Sequence, residues 1–174
     1  QKNDLLQFSK ITVIEIHLND QIEELENMIN FPEEIKRIKD YEYSNDSSIT
    51  NIIIPTSVKS IGTNSFYKCS SLISVKIPAS VTFIGDYAFS ECVSLKNIEI
   101  PPSLQFICNF TFSGCKSLNE ISIPSSVRSI GNCAFKKCSN LKVIEINPYK
   151  TDFKKDSFSE CDSLNYLIFN SSVK

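Results

Sequence analysis

Apolar residues along this chain fall into columns that recur every 23 residues. Pro55, Pro78, Pro101 and Pro124 mark one column, and Cys69, Cys92, Cys115, Cys138 and Cys161 mark another of the same period. Three residues after each Cys stands Leu72, Leu95, Leu118, Leu141 or Leu164, and three before it Phe66, Phe89, Phe112, Phe135 or Phe158. Two aliphatic columns keep step: Val75, Ile98, Ile121, Ile144, Leu167 and Ile54, Ile77, Ile100, Ile123, Ile146, Phe169. A fixed period of this length is the signature of stacked units, none of which can bury its apolar face without a neighbour.

The unit from Leu72 to Cys92 shows what each part does. Its Leu-x-x-Val-x-Ile stretch alternates inward apolar and outward variable residues, the period of a strand with one buried face. Pro78 lacks a ladder donor and ends that strand at a corner. Val81-x-x-Ile84-Gly85 forms the next side, where Gly85 is expected to supply backbone freedom that a Cβ would deny. The Ala88-Phe89-x-x-Cys92 segment is expected to close the coil as a tight helical turn, with small residues at Ala88, Thr111, Ala134 and Ser157 allowing close approach. Stacking such coils predicts a parallel sheet, strands ~4.8 Å apart, lining one concave side.

The frame weakens at both ends. Phe31-Pro32, Ile35, Ile38, Tyr43 and Ile49 fall in the repeat columns although Asp46 replaces Cys, so residues 31–53 read as a diverged first repeat. In the last unit Asn147 replaces Pro, Lys150 the column Val and Lys154 the Gly, while Asn170 to Val173 begins another. Ile11 to Ile16 resembles a strand, and Asp20 followed by Glu23, with Ile22, Leu25, Met28 and Ile29 at helical spacing, predicts a short amphipathic helix. The expected organisation is an N-terminal α/β cap over 1–30 followed by six tandem repeats over 31–174, the last truncated or capping.

The consensus C-x-x-L-x-x-[VI]-x-I-P-x-S-V-x-x-I-G-x-x-A-F, read from Cys69 to Phe89, resembles the BspA-type leucine-rich repeat over roughly residues 31–169. Cys108 departs from the pattern where the family prefers Gly, as do Lys150 and Lys154. The resemblance implies a leucine-rich-repeat solenoid, a curved right-handed coil with a parallel concave β-sheet and short helical turns. Proteins of this type are commonly surface-exposed in bacteria and in parasitic or commensal protists, where they are linked to adhesion. It therefore implies a cell-surface or secreted, non-enzymatic module that binds a protein or host-matrix ligand.

Composition narrows the chemistry. A net charge of -2 over 174 residues gives no basic footprint for nucleic acid, and no apolar run is long enough to insert in a membrane. His17 is the single histidine, glycines number four, and neither a nucleophile motif nor a phosphate-cradling glycine run is present, so no catalytic, cofactor-binding or metal-binding residue is expected. Five cysteines in one column allow three readings: a soft-metal site, stacked disulfides, or a buried ladder of small hydrophobes. The last is favoured, because Asp46 takes the Cys place without disturbing the frame. Cys108 and Cys133 lie off the ladder and read as packing substitutes. Free thiols, with no signal peptide in the first thirty residues, favour the alternative of an intracellular scaffold or regulatory repeat domain.

Partner contacts must come from positions the repeat leaves free. Two outward columns are expected on the concave face: Asn51, Ser74, Asn97, Glu120, Val143, Tyr166, and Ile53, Lys76, Glu99, Ser122, Glu145, Ile168. Candidate contacts among them are Lys76, Asn97, Glu99, Glu120, Ser122, Glu145 and Tyr166, whose acidic members suit a basic or amide-rich partner, although a merely solvated face is the favoured reading of the same residues. Phe83, Tyr87, Phe106 and Phe110 form a second candidate, an aromatic patch that packing between coils explains as well or better. Sequons at Asn45, Asn109 and Asn170 bear on the protein only in a secretory pathway.

Overall fold

The computed structural model describes residues 29, 31–32, 34–147 and 149–169; apart from Ile29, the expected cap over 1–30 lies outside them, as do His17 and Asn170 to Val173. Short strands follow one another as β1 (Arg37–Ile38), β2 (Asn51–Ile53), β3 (Ser60–Ile61), β4 (Ser74–Lys76), β5 (Phe83–Ile84), β6 (Asn97–Ile98), β7 (Phe106–Ile107), β8 (Glu120–Ser122), β9 (Ser129–Ile130), β10 (Val143–Ile146), β11 (Asp152–Phe153) and β12 (Tyr166–Phe169). Even-numbered strands come from the Leu-x-x-Val-x-Ile stretch and odd-numbered ones from the residues before the glycine column. Every pairing is parallel and joins residues 23 apart, as in Val143↔Tyr166 and Ser60↔Phe83. The chain therefore winds as a β-solenoid of about six turns, and one repeat is one coil.

The core is built as ladders running along the solenoid. Phe66, Phe89, Phe112 and Phe135 are fully buried. Each ring stacks nearly parallel on the next, with Tyr43 and Phe158 extending the column, at centroid spacings of 5.3, 5.3, 5.7, 5.3 and 5.1 Å. Such pairs contribute about 0.5–1.5 kcal/mol each beyond the area they bury. Beside them Leu72, Leu95, Leu118 and Leu141 are completely enclosed.

The third side differs from the expected helical turn. No helix occurs among the described residues, and the Ala-Phe-x-x-Cys stretch is a run of turns. Left-handed backbone brackets it at two columns, Tyr41, Asn64, Tyr87, Phe110, Cys133, Asp156 and Asn45, Lys68, Glu91, Gly114, Lys137, Glu160. Residues in that region reverse the chain and aim alternate N–H groups along the solenoid, so they bond between coils where a helix would bond within itself. Tyr87 N–H reaches Asn109 C=O at 3.0 Å, Phe89 N–H reaches Thr111 C=O at 2.9 Å, and Glu91 N–H reaches Ser113 C=O at 2.7 Å.

The glycine column also works differently from expectation. Gly62, Gly85 and Gly131 do not adopt left-handed backbone; Gly114, outside the column, is the glycine that does. Their task is close approach: a Cβ at Gly85 would lie 2.7 Å from Thr63 N, and one at Gly131 2.7 Å from Asn109 N and from the Cys108 carbonyl carbon. Backbone cannot yield to such contacts as a flexible side chain can. A further difference is that the expected continuous sheet is interrupted. Pairing runs β2-β4-β6 and then β8-β10-β12 on one side, β1-β3-β5 and then β7-β9-β11 on the other.

Candidate binding face

Because side chains alternate along each strand, Val75, Ile98, Ile121 and Ile144 point into the core and the residues flanking them point out. The registers Asn51↔Ser74↔Asn97 and Glu120↔Val143↔Tyr166 align the outward columns as read from the sequence. Asn97, Glu99, Glu120, Ser122 and Glu145 line one hollow of about 720 Å³, walled by Val143 and Ile168 and closed by Pro124. Glu99 and Glu120 are exposed and Glu145 half-buried. None of the three forms an ion pair among the described residues, whose salt bridges lie elsewhere. Lys76 lines an adjoining hollow of about 420 Å³ that shares Asn97 and Glu99. Tyr166 is exposed on β12, beside the acidic hollow and outside its lining.

The aromatic candidates separate into two pairs. Phe83 and Phe106 occupy one column of β5 and β7 and are 49% and 55% exposed, so packing between coils does not account for them. Tyr87 and Phe110 belong to the turn side and stack on each other at 4.6 Å with planes 4° apart. Beside that stack Tyr67, Glu91, Lys136 and Lys137 line a shallow hollow of about 290 Å³. Sequence reasoning did not single out these charged neighbours, because three turn-side columns converge there and none stands out alone.

The cysteine column resolves as a hydrogen-bonded ladder. Each Sγ donates to a carbonyl of the preceding coil: Cys69 to Tyr43 at 3.1 Å, Cys92 to Phe66 at 3.1 Å, Cys115 to Phe89 at 3.2 Å, Cys138 to Phe112 at 3.2 Å and Cys161 to Phe135 at 3.1 Å. All seven thiols are free. Burial pushes Cys69 and Cys161 up to about 11 and Cys92, Cys115 and Cys138 higher still. These sulfurs are therefore protonated donors at neutral pH, unsuited to act as nucleophiles or metal thiolates. Among the described residues no group of three or more His, Cys, Asp or Glu is placed to hold a metal ion, and no helix is long and apolar enough to cross a membrane.

Of the sequons, Asn109 is committed to the fold. Its Oδ1 accepts from Asn132 N–H at 2.8 Å, while its own N–H donates to the Asp86 carboxylate at 2.8 Å. Asp40 does the same for Thr63 N–H at 2.9 Å. Carboxylates and amides in this column thus join successive coils, a use visible in the sequence only as a scatter of Asp and Asn.

Parallel coils with a variable outward face and an invariant inner ladder define a leucine-rich-repeat solenoid, a class whose repeats generally serve protein interaction. The chain belongs to the BspA type leucine rich repeat family, whose model matches six copies over residues 6–107 and 59–174. No curated protein matches it. Among solved structures it is similar to the T. pallidum leucine-rich repeat protein TpLRR, at 28% identity and a TM-score of 0.75 over 83% of this chain and 69% of that one. The pneumococcal vaccine antigen PcpA matches at 18% identity and TM-score 0.65, over 83% of this chain and 42% of that one. A leucine rich cell surface protein of Faecalibacterium prausnitzii matches at 23% identity and TM-score 0.52, over 84% of this chain and 33% of that one. The chain thus spans less than half the length of the last two, and their likeness is one of fold.

Proposed function

We propose that this chain is a non-enzymatic protein-binding module whose partner docks in the acidic hollow of the concave face, within a cell-surface adhesion or host-interaction protein. The observation that carries the reading is the convergence of Glu99, Glu120 and Glu145 on one apolar-floored hollow with no cation of the described chain paired to them. Ile98, Ile100 and Ile121 floor the hollow. A Lys or Arg side chain of a partner would lay its aliphatic stem against them and its charge against the carboxylates. The F. prausnitzii protein is described as a cell surface protein, which supports the surface setting by analogy.

The test is calorimetric titration with an arginine-rich synthetic peptide. The wild-type chain should bind it, and joint reversal of Glu99, Glu120 and Glu145 to Lys should abolish binding while the circular dichroism spectrum is retained. Unchanged affinity would move the site off this face. A second reading, an intracellular scaffold, is favoured by the seven free thiols, since disulfides persist in oxidising compartments and thiols in reducing ones. Antibody staining of intact cells separates the two settings: signal appearing only after permeabilisation rejects the surface one.

A further inference from the structure

We propose that Cys108 makes the junction between coils 78–100 and 101–123 an articulation of the solenoid, and that it thereby sets the width of the acidic hollow straddling that junction. The statement about width rests on reading the hollow as the partner's seat; the articulation does not. Cys108 occupies the column of Gly62, Gly85 and Gly131, where a Cβ meets the backbone of the preceding coil at about 2.7 Å. The chain at Cys108 carries that Cβ.

The consequence is visible in the ladder bonds. Gly62 N–H donates to Ile38 at 2.9 Å, Gly85 to Ile61 at 2.9 Å, Gly131 to Ile107 at 2.8 Å and Lys154 to Ile130 at 2.9 Å, whereas no such bond joins Cys108 to Ile84. Thr82 donates to Lys59 and Arg128 to Gln105, yet Gln105 makes no bond to Thr82. On the concave side Lys96 donates to Ile73 and Lys142 to Asn119, yet Asn119 makes none to Lys96. Both sheets part at this one junction, β5 from β7 and β6 from β8.

The turn side stays closed there. Tyr87, Phe89 and Glu91 keep their bonds to the next coil. The Phe89–Phe112 rings remain stacked, at 5.7 Å the widest step of the phenylalanine ladder. Asn109 N–H to Asp86 and Ser117 N–H to Val93 close the two ends of that side, and a side-chain bond from Ser103 to the Val81 carbonyl also crosses the junction, while the strand pairing is lost. A coil pair whose backbone ladders are kept along one side and lost along both sheets is a hinge whose axis follows the turn side. Lys154 carries a Cβ in the same column and keeps its bond to Ile130; it lies in the last described coil, whereas Cys108 lies between two described coils. The acidic hollow lies across the parting, with Asn97 and Glu99 on one lip and Glu120 and Ser122 on the other. Cys108 is a positioning residue and touches no ligand.

The experiment compares the whole chain with Cys108→Gly, which removes the Cβ, and Cys108→Ser, which keeps it. Amide hydrogen exchange is read by NMR at positions 105, 108 and 119 against 128, 131 and 142. In the wild type the first set should exchange about ten-fold or more faster than the second, as locally opened backbone does. Cys108→Gly should slow the first set to the rate of the second, and Cys108→Ser should leave it fast. Equal protection in the wild type overturns the articulation, and fast exchange persisting in Cys108→Gly overturns the Cβ as its cause. Titration with the arginine-rich peptide is the second arm: Cys108→Gly should weaken binding several-fold and Cys108→Ser should not. Slowed exchange with unchanged affinity overturns the link to the hollow and keeps the hinge. A wild-type chain that does not bind the peptide overturns the assignment of the hollow, and exchange still decides the hinge.

Discussion

Replacing Phe112 by Ala removes a ring with no exposed surface, clamped between Phe89 at 5.7 Å and Phe135 at 5.3 Å. Burying a Phe side chain is worth about 1.5–3 kcal/mol, and each lost stack about 0.5–1.5 kcal/mol more. The neighbouring rings belong to separate coils held by their own backbone bonds, so they cannot collapse into the gap, and the expected cost is about 3–5 kcal/mol. Phe158 supplies the internal control. It is half-buried, stacks on Phe135 at 5.1 Å, and has Phe153 beside it, tilted at 6.1 Å, with no second stacked ring among the described residues. The same truncation there should cost about 1–2 kcal/mol, because a repeat array loses less when a terminal contact is cut than a central one. Urea denaturation followed by far-ultraviolet circular dichroism measures both. A loss below about 1 kcal/mol at Phe112, or equal losses at the two sites, would refute the ladder as the main source of cohesion.

Gly131→Ala should destabilise the chain by about 1–3 kcal/mol as an overpacking change, because its Cβ would meet backbone atoms of Asn109 and Cys108; a neutral result in the same denaturation assay would reject close approach as the reason for the glycine column. The thiols with raised folded values give stability that is complete below the ordinary thiol range near 9 and is lost as pH rises toward about 11, since the unfolded chain releases those protons first. Thermal melting should therefore fall across that window, and substituting Cys69 and Cys161 by Ala should lessen the fall, with the more deeply buried Cys92, Cys115 and Cys138 sustaining the remainder. Alkylation of the native chain followed by mass spectrometry should label the half-buried Cys133 early and Cys92, Cys115 and Cys138 only on unfolding; early labelling of Cys115 would mean the ladder opens in the folded state.

Most of the solenoid was legible in the chain because a stacked repeat turns the third dimension into a sequence period. The 23-residue offset that aligns Phe89 with Phe112 on the page is the offset that stacks their rings. Outward columns follow from alternation alone, so Asn97, Glu99, Glu120, Ser122 and Glu145 could be grouped before any coordinates. The shape of the Ala-Phe-x-x-Cys side was not legible, since helix and linked turns place Phe and Cys inward at the same three-residue interval. Only the backbone, with Tyr87 and Glu91 in left-handed geometry, distinguishes bonds within a coil from bonds between coils.

The sequence by itself determined the period, the core columns, the strand faces and the absence of recognisable catalytic motifs, because each depends on residue type at fixed spacing. The tertiary structure alone decided the rest. It split the four aromatic residues into an exposed pair and a stacked pair, gave Asn109 to the fold, and assigned the cysteines to carbonyls of the coil before them. It also showed the glycine column as a matter of distance between coils, so that Cys108, one departure in a list of residues, marks the place where both sheets part. Contacts between coils depend on how closely backbones approach, and that is a property of the stack that no single repeat contains.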